Sequence, residues 1–268
     1  MQVGQLRALA KTDIRPDFVV GTSVGSLNGA VVADDPVVAA DRLAALWSTV
    51  SREDIFGKNL PTAVRVASGK PAVVDNSHLR SFIHRAVAAR DFSDLAIPLT
   101  SVATDFDTGE VVALRSGDLV SALLASAAIP AIFPVVDRDG RRLVDGGIVA
   151  NVPISVAAAQ GAQTIVVLDC GFTVIAPQRE DSLRAAILRT VAIMAAQQVR
   201  RDLEAVSDLT VLYLPGPWPI GSRPDDFHRS QELAETSYEL SLRWLKQLRV
   251  TGPGRYGSAP PDALSKRT

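Results

Sequence analysis

One cysteine, Cys170, and three histidines, His78, His84 and His228, are all that the 268-residue sequence offers of either residue type. A lone thiol excludes an internal disulfide framework and suits a reducing compartment. It leaves Cys170, which follows Asp169 at a strand end, to be read as a small core residue. His78 and His84 stand six apart on one helical stretch, so they do not share a face at metal-ligand spacing, and no zinc site is expected. Excess charge is also missing. With 28 basic against 29 acidic residues there is no electrostatic footprint for a nucleic-acid partner. Long apolar runs are absent too. Residues 119–136 lack charge, but Pro130 and Pro134 interrupt them and Ser121 and Ser126 are polar, which describes a buried helix followed by a loop. The first ten residues show no apolar core followed by a small-residue cleavage site, so a cytoplasmic protein is expected.

What is present reads as alternating helices and apolar strands. Val3–Ala10 has helical character, and Phe18-Val19-Val20 is a short strand stopping at Gly21. Helical patterns follow over 26–32, 41–50 and 77–89, with Leu43, Leu46, Trp47 and Val50 at core-facing spacing and Ser77 as a cap. The stretch 51–75 reads as loops around a short helix. Strand-like runs at 99–103 and 111–114 suggest a hairpin, as do Val135-Val136 and Leu143-Val144 across Asp139-Gly140. Runs at 164–168 and 209–214 each follow a helix, the second of them spanning 182–206, and a last helix covers about 230–248. The alternation predicts a three-layer α/β/α sandwich whose central sheet is mainly parallel, with the hairpins at its margin. One domain over residues 1–250 is expected, then a mobile tail rich in Gly, Pro and Ser over 251–268.

Gly21-Thr22-Ser23-Val24-Gly25 is the strongest chemical signal. A strand that ends in Gly-x-Ser-x-Gly and runs into a helix forces a tight turn that presents the serine hydroxyl. Gly21 and Gly25 permit close backbone approach there. The following helix start aims free N–H groups at a reacting carbonyl, and the Val24 N–H is the natural oxyanion donor. The plain alternative is a glycine-rich turn that only caps a helix. A serine needs a proton acceptor, and His228 is the one histidine placed for a Ser-His-Asp order. Against that, only 22 residues precede Ser23, too few for the strands that such a plan places before its nucleophile.

A second candidate acceptor is Asp145, where a strand ends in Asp145-Gly146-Gly147. A sheet-held carboxylate can serve as direct base if its site is dry enough to favour the neutral acid. Taken alone, Asp-Gly-Gly is more often simply a turn. Between the two motifs lies Ser126-x-x-x-Pro130-x-x-Phe133-Pro134, and the set runs from Gln2-Val3-Gly4-x-Leu6-Arg7-Ala8-Leu9 to Asn151-x-Pro153. In this order the chain resembles the patatin-like phospholipases. The resemblance implies a histidine-free Ser23–Asp145 dyad within motifs that include Gly21, Val24, Gly25, Gly146 and Gly147. It also implies hydrolysis of lipid or other acyl esters through an acyl-serine, with no metal or organic cofactor and with transient contact at a membrane surface.

Members of that family carry a strand and a Gly-Gly-Gly-x-Arg-Gly loop just before the helix that here starts near Gln2. The loop supplies oxyanion N–H groups, and losing one such donor costs roughly a hundredfold in rate or more. A start assigned too late is the favoured expectation, ahead of a truncated relative or a replacement donor. Two other functions stay open: a catalytically silent relative that binds acyl chains or a partner, and a Ser-His-Asp esterase using His228. Asp105 and Asp107 read as turn residues, Arg200-Arg201 as a solvated helix face, and the loop 215–219 around Trp218 as a packed turn or a lipid contact.

Overall fold

The computed structural model describes residues 1–57, 74–171, 183–218 and 227–260, so parts of the expected 51–75 and 215–219 loops and the end of the tail lie outside the described residues. The chain forms two compact units: Pro16–Val149, and Met1–Arg15 together with Ala150–Thr268.

The Pro16–Val149 unit is built on a five-stranded sheet. Its elements in chain order are β1 (Val19–Thr22), α2 (Val24–Asp34), α3 (Ala39–Thr49), α4 (Arg52–Phe56), α5 (Ser77–Ala86), β2 (Leu99–Asp105), β3 (Val111–Leu114), α6 (Leu119–Ser126), β4 (Val136–Arg138) and β5 (Arg141–Asp145). All seven residues of β2 are buried, as suits a central strand. It pairs in parallel with β1, Val19 opposite Leu99 through Thr22 opposite Val102, and antiparallel with β3 through the expected hairpin. The second hairpin, β4–β5, also forms, but it is not marginal: β5 pairs antiparallel with β2, Ala103 opposite Asp145 through Asp105 opposite Leu143. Burial explains the shift, because Leu143 and Val144 are almost fully covered and need the centre of a sheet.

Helices cover this sheet through the apolar residues that the sequence spacing singles out. On α3, Leu43 is buried, and the indole N–H of Trp47 donates to Asn28 Oδ1 of α2 at 2.8 Å while its ring meets Phe82 of α5 at 5.8 Å. Every residue of helix α6 except Ser121 is buried. Ser77 lies inside α5 rather than capping it, and that helix ends at Ala86, short of the expected Ala89. Asp105 and Asp107 do belong to the β2–β3 turn, where Asp105 Oδ1 accepts the N–H groups of Asp107 and Thr108.

The other unit comprises α1 (Gln2–Leu9), α7 (Ile154–Ala159), β6 (Thr164–Val167), α8 (Leu183–Ala205), β7 (Thr210–Tyr213), α9 (Ser230–Gln247) and β8 (Gly254–Tyr256). Its three strands are all parallel in the order β6-β7-β8. Here the expectation of a loose tail from residue 251 needs correction: 254–256 form β8, which completes the free edge of β7. Arg7 of α1 joins Glu235 of α9 at 2.8 Å and covers the Tyr238 ring. The segment Asn151–Pro153 is tied to α8 through Gln198, whose Oε1 accepts the Asn151 N–H. Trp218 is half-buried and packs on Gly216, so the loop holding it is a packed turn as far as it is described. Cys170 is half-buried rather than fully enclosed. No helix among the described residues is long and apolar enough to cross a membrane.

Candidate functional site

Sheet pairing brings the two sequence motifs together. At positions 101–102 β2 has β1 on one edge and β3 on the other; at 103–104 it has β5 and again β3. β1 and β5 therefore lie on the same edge of β2. One runs parallel to it and the other antiparallel, so they meet end to end: β1 stops at Thr22 opposite Val102, and β5 stops at Asp145 opposite Ala103. Adjacent positions along a strand differ by about 3.3 Å. Ser23 and Asp145, far apart in sequence, thus leave the sheet at one point.

The glycines fit this collision of strand ends. A Cβ on Gly21 would stand 2.4 Å from the Gly25 carbonyl oxygen, and one on Gly146 would stand 2.3 Å from Val102 O and 3.0 Å from the Thr22 methyl. Neither spacing admits a side chain. Gly147 plays a different part, donating its N–H to Asp145 Oδ1 at 2.7 Å.

Ser23 has φ 54° and ψ −125°, a region that costs a non-glycine residue about 1–3 kcal/mol and persists only when its surroundings impose it. Its neighbours do so. The Ser23 N–H donates to Ser126 Oγ at 2.9 Å, and Ser23 O accepts the N–H groups of Ser26 and Leu27, where the hydrogen-bond ladder of α2 begins. Val24 precedes that ladder at the positive end of the helix. Ser23, Val24 and Gly25 are half-buried and thus reachable from outside, whereas Asp145 and Gly146 are buried.

Burial pushes the Asp145 carboxyl up from its ordinary 3.8 to about 6, against the pull of the Ser23 hydroxyl and the Gly147 N–H. Its backbone is pinned on two sides: the Asp145 N–H donates to Ala128 O at 3.0 Å, and Asp145 O accepts the Thr104 hydroxyl at 2.9 Å. Oδ2 has no hydrogen-bond partner in full geometry among the described residues. The Ser23 hydroxyl is close enough to lower the carboxyl pKa yet does not close an aligned bond to Oδ2 in this arrangement. A buried carboxylate oxygen with no partner is an acceptor held ready for a proton.

None of the groups acting on this carboxyl is a histidine. His78 and His84 are exposed on α5, and His228 belongs to the other unit, just before α9. Three residues that the sequence left without a role also converge here: Ser26, Ser101 and Ser126 are completely buried, and their hydroxyls join at 2.8 and 3.1 Å. Ser126 stands in the Ser-x-x-x-Pro motif, and it closes the mainly apolar Leu119–Ser126 helix.

Comparison with known proteins identifies the family. The family model described as Patatin-like phospholipase matches residues 1–158, more than half of the chain. Among curated relatives, patatin-like phospholipase domain-containing protein 6 of Homo sapiens is 28% identical over 171 residues, which are 63% of this chain and 12% of that protein. Patatin-like phospholipase domain-containing protein ZK370.4 of Caenorhabditis elegans is 33% identical over 173 residues, 63% of this chain and 12% of the relative. Lysophospholipase NTE1 of Mycosarcoma maydis is 30% identical, again over 63% of this chain, but over 9% of its own length. The chain thus spans roughly a tenth of the length of these relatives, and the family match covers the positions of Ser23 and Asp145. By the family match over residues 1–158, this chain belongs to the patatin-like phospholipases and has their α/β fold.

Proposed function

We propose that the protein is a serine acyl hydrolase acting on lipid or other carboxyl esters through a Ser23–Asp145 dyad. The observation that carries this reading is the unpartnered Oδ2 of buried Asp145 at the point where β1 and β5 end beside each other on β2. In the first step Ser23 Oγ bonds to the ester carbonyl carbon while its proton passes to Asp145, and the Val24 N–H at the start of α2 stabilises the oxyanion. Collapse expels the alcohol, which takes the proton from Asp145 and leaves an acyl-serine. Water then gives a proton to Asp145 as it attacks; collapse frees the carboxylic acid and returns the proton to Ser23. A carboxyl with a pKa of about 6 is a far better proton acceptor near neutral pH than one at 3.8.

The fungal relative is named a lysophospholipase, which extends the proposal to lysophospholipids as a substrate class. Such substrates sit at membrane surfaces, so transient surface contact belongs to the same reading. The test is hydrolysis of a series of nitrophenyl acyl esters and lysophospholipids, with covalent labelling by a fluorophosphonate located by mass spectrometry. Turnover and labelling at Ser23, both lost in Ser23→Ala with the fold intact, are expected. Turnover surviving in Ser23→Ala would overturn the assignment.

A further inference from the structure

The hydrogen-bond ladder between β1 and β2 is interrupted at the candidate nucleophile, and the interruption is filled by a side chain. In this ladder Val19 N–H donates to Pro98 O, one residue before its register partner Leu99. A parallel ladder repeats every two residues, so the pattern continues with Gly21 facing Thr100 O and then Ser23 facing Val102 O. The last of these rungs is not made directly. At Ser23 the backbone swings to φ 54°, and its N–H donates instead to Ser126 Oγ at 2.9 Å, while the Ser126 hydroxyl donates to Val102 O at 2.6 Å. One hydroxyl has been inserted into the rung.

We infer that Ser126 is a positioning residue for Ser23: its hydroxyl replaces the ladder bond that the elbow gives up and thereby holds the nucleophile in its strained conformation. This rests on the proposed role of Ser23. The hydrogen bonds are compatible with it: Ser26 donates to Gly21 O at 2.6 Å or to Ser126, and Ser126 has one proton to place on Val102 O or Ser26 Oγ, so in either case Ser126 Oγ is free to accept from the Ser23 amide. The same turn also reaches the second residue of the site, since Ala128 O accepts the Asp145 N–H. The end of α6 therefore fixes the backbones on both sides of the strand junction. Ser126 does not touch the reacting atoms. Without its hydroxyl, the part-buried Ser23 N–H would lose its acceptor and Val102 O would be buried without this donor, and the elbow could relax.

The experiment compares Ser126→Ala with Ser101→Ala, which removes a hydroxyl of the same buried cluster that does not contact Ser23. Two quantities are read: the rate of fluorophosphonate labelling at Ser23, and hydrogen exchange of the Ser23 amide. Ser126→Ala should slow labelling by about 10- to 100-fold and speed exchange at Ser23, while Ser101→Ala stays within about threefold in both. If ester turnover is measured as well, the loss should fall on kcat with KM little changed. Should Ser126→Ala not fold, Ser126→Cys keeps the site filled while weakening both bonds and should give the same pattern at smaller amplitude. Equal losses in the Ser126 and Ser101 variants, or wild-type labelling and exchange in Ser126→Ala, would overturn the inference. Labelling of the wild-type protein at a residue other than Ser23 would instead refute the nucleophile assignment, and amide exchange would still decide the role of Ser126.

Discussion

Asp145 and Asp169 are buried aspartates that each follow a strand, one in each unit, and their carboxyls differ in what one oxygen meets. Asp145 follows β5 and accepts the N–H of Gly147 at 2.7 Å; Asp169 follows β6 and accepts the N–H of Gly171 at 2.7 Å. The sequences Asp-Gly-Gly and Asp-Cys-Gly thus make the same local turn. Burial raises both pKa values. The other oxygen separates them. Asp169 Oδ2 receives the hydroxyl of Tyr213 on β7 at 2.6 Å, whereas Asp145 Oδ2 has no hydrogen-bond partner among the described residues and the Ser23 hydroxyl lies near that carboxyl. A satisfied buried carboxylate fixes structure, and an unsatisfied one is available for proton transfer at a cost in stability.

Substitution should break this symmetry most visibly in turnover. Asp145→Asn is expected to lower kcat/KM for an acyl ester by a thousandfold or more, because the amide cannot take the Ser23 proton, while Asp169→Asn stays within about tenfold. The next effect is on stability, with opposite signs in the two units. The folded pKa of Asp145 lies above its unfolded value, so the native state holds more protons between about pH 4 and 6, and its contribution to stability falls as pH rises through that window. Replacing it with Asn should therefore stabilise the protein at pH 8 by up to about 3 kcal/mol in urea unfolding. Tyr213→Phe leaves Asp169 buried with an unpaired oxygen and should destabilise by about 1–3 kcal/mol. A stabilising Tyr213→Phe would sink the comparison.

The pH profile sharpens it further. If Asp145 is the base, kcat/KM should climb tenfold per pH unit below about 6 and level off above. Smallest of all should be His228→Ala, within about twofold in kcat/KM; a loss of several orders of magnitude would restore the Ser-His-Asp reading.

The fold was legible where periodicity marks one face of one element. The amphipathic α3, the two hairpins and the last helix, expected to end near 248 and found at Ser230–Gln247, follow from apolar spacing and turn residues that act locally. β8 escaped notice because Gly254-Arg255-Tyr256 has no strand signal of its own; the exposed edge of β7 recruits it. Ser23 and Asp145 stood out because each sits in a glycine-flanked turn after a strand, a pattern the chain itself displays. Ser126 was visible in its motif but without a role, and Ser101 not at all, because a serine in a buried strand has no periodic signature.

Local chemistry in the sequence thus determined a strand that must turn sharply at Ser23, a helix that must begin beside it, and a carboxylate held at the end of another strand. Only the tertiary structure decided that those strands share one edge of β2 and run toward each other, and that a hydroxyl from α6 fills the gap where they meet. The reason is physical: side-chain alternation tells which face of a sheet a residue occupies, while strand order, direction and edge are set by non-local pairing and burial that no short stretch of sequence contains.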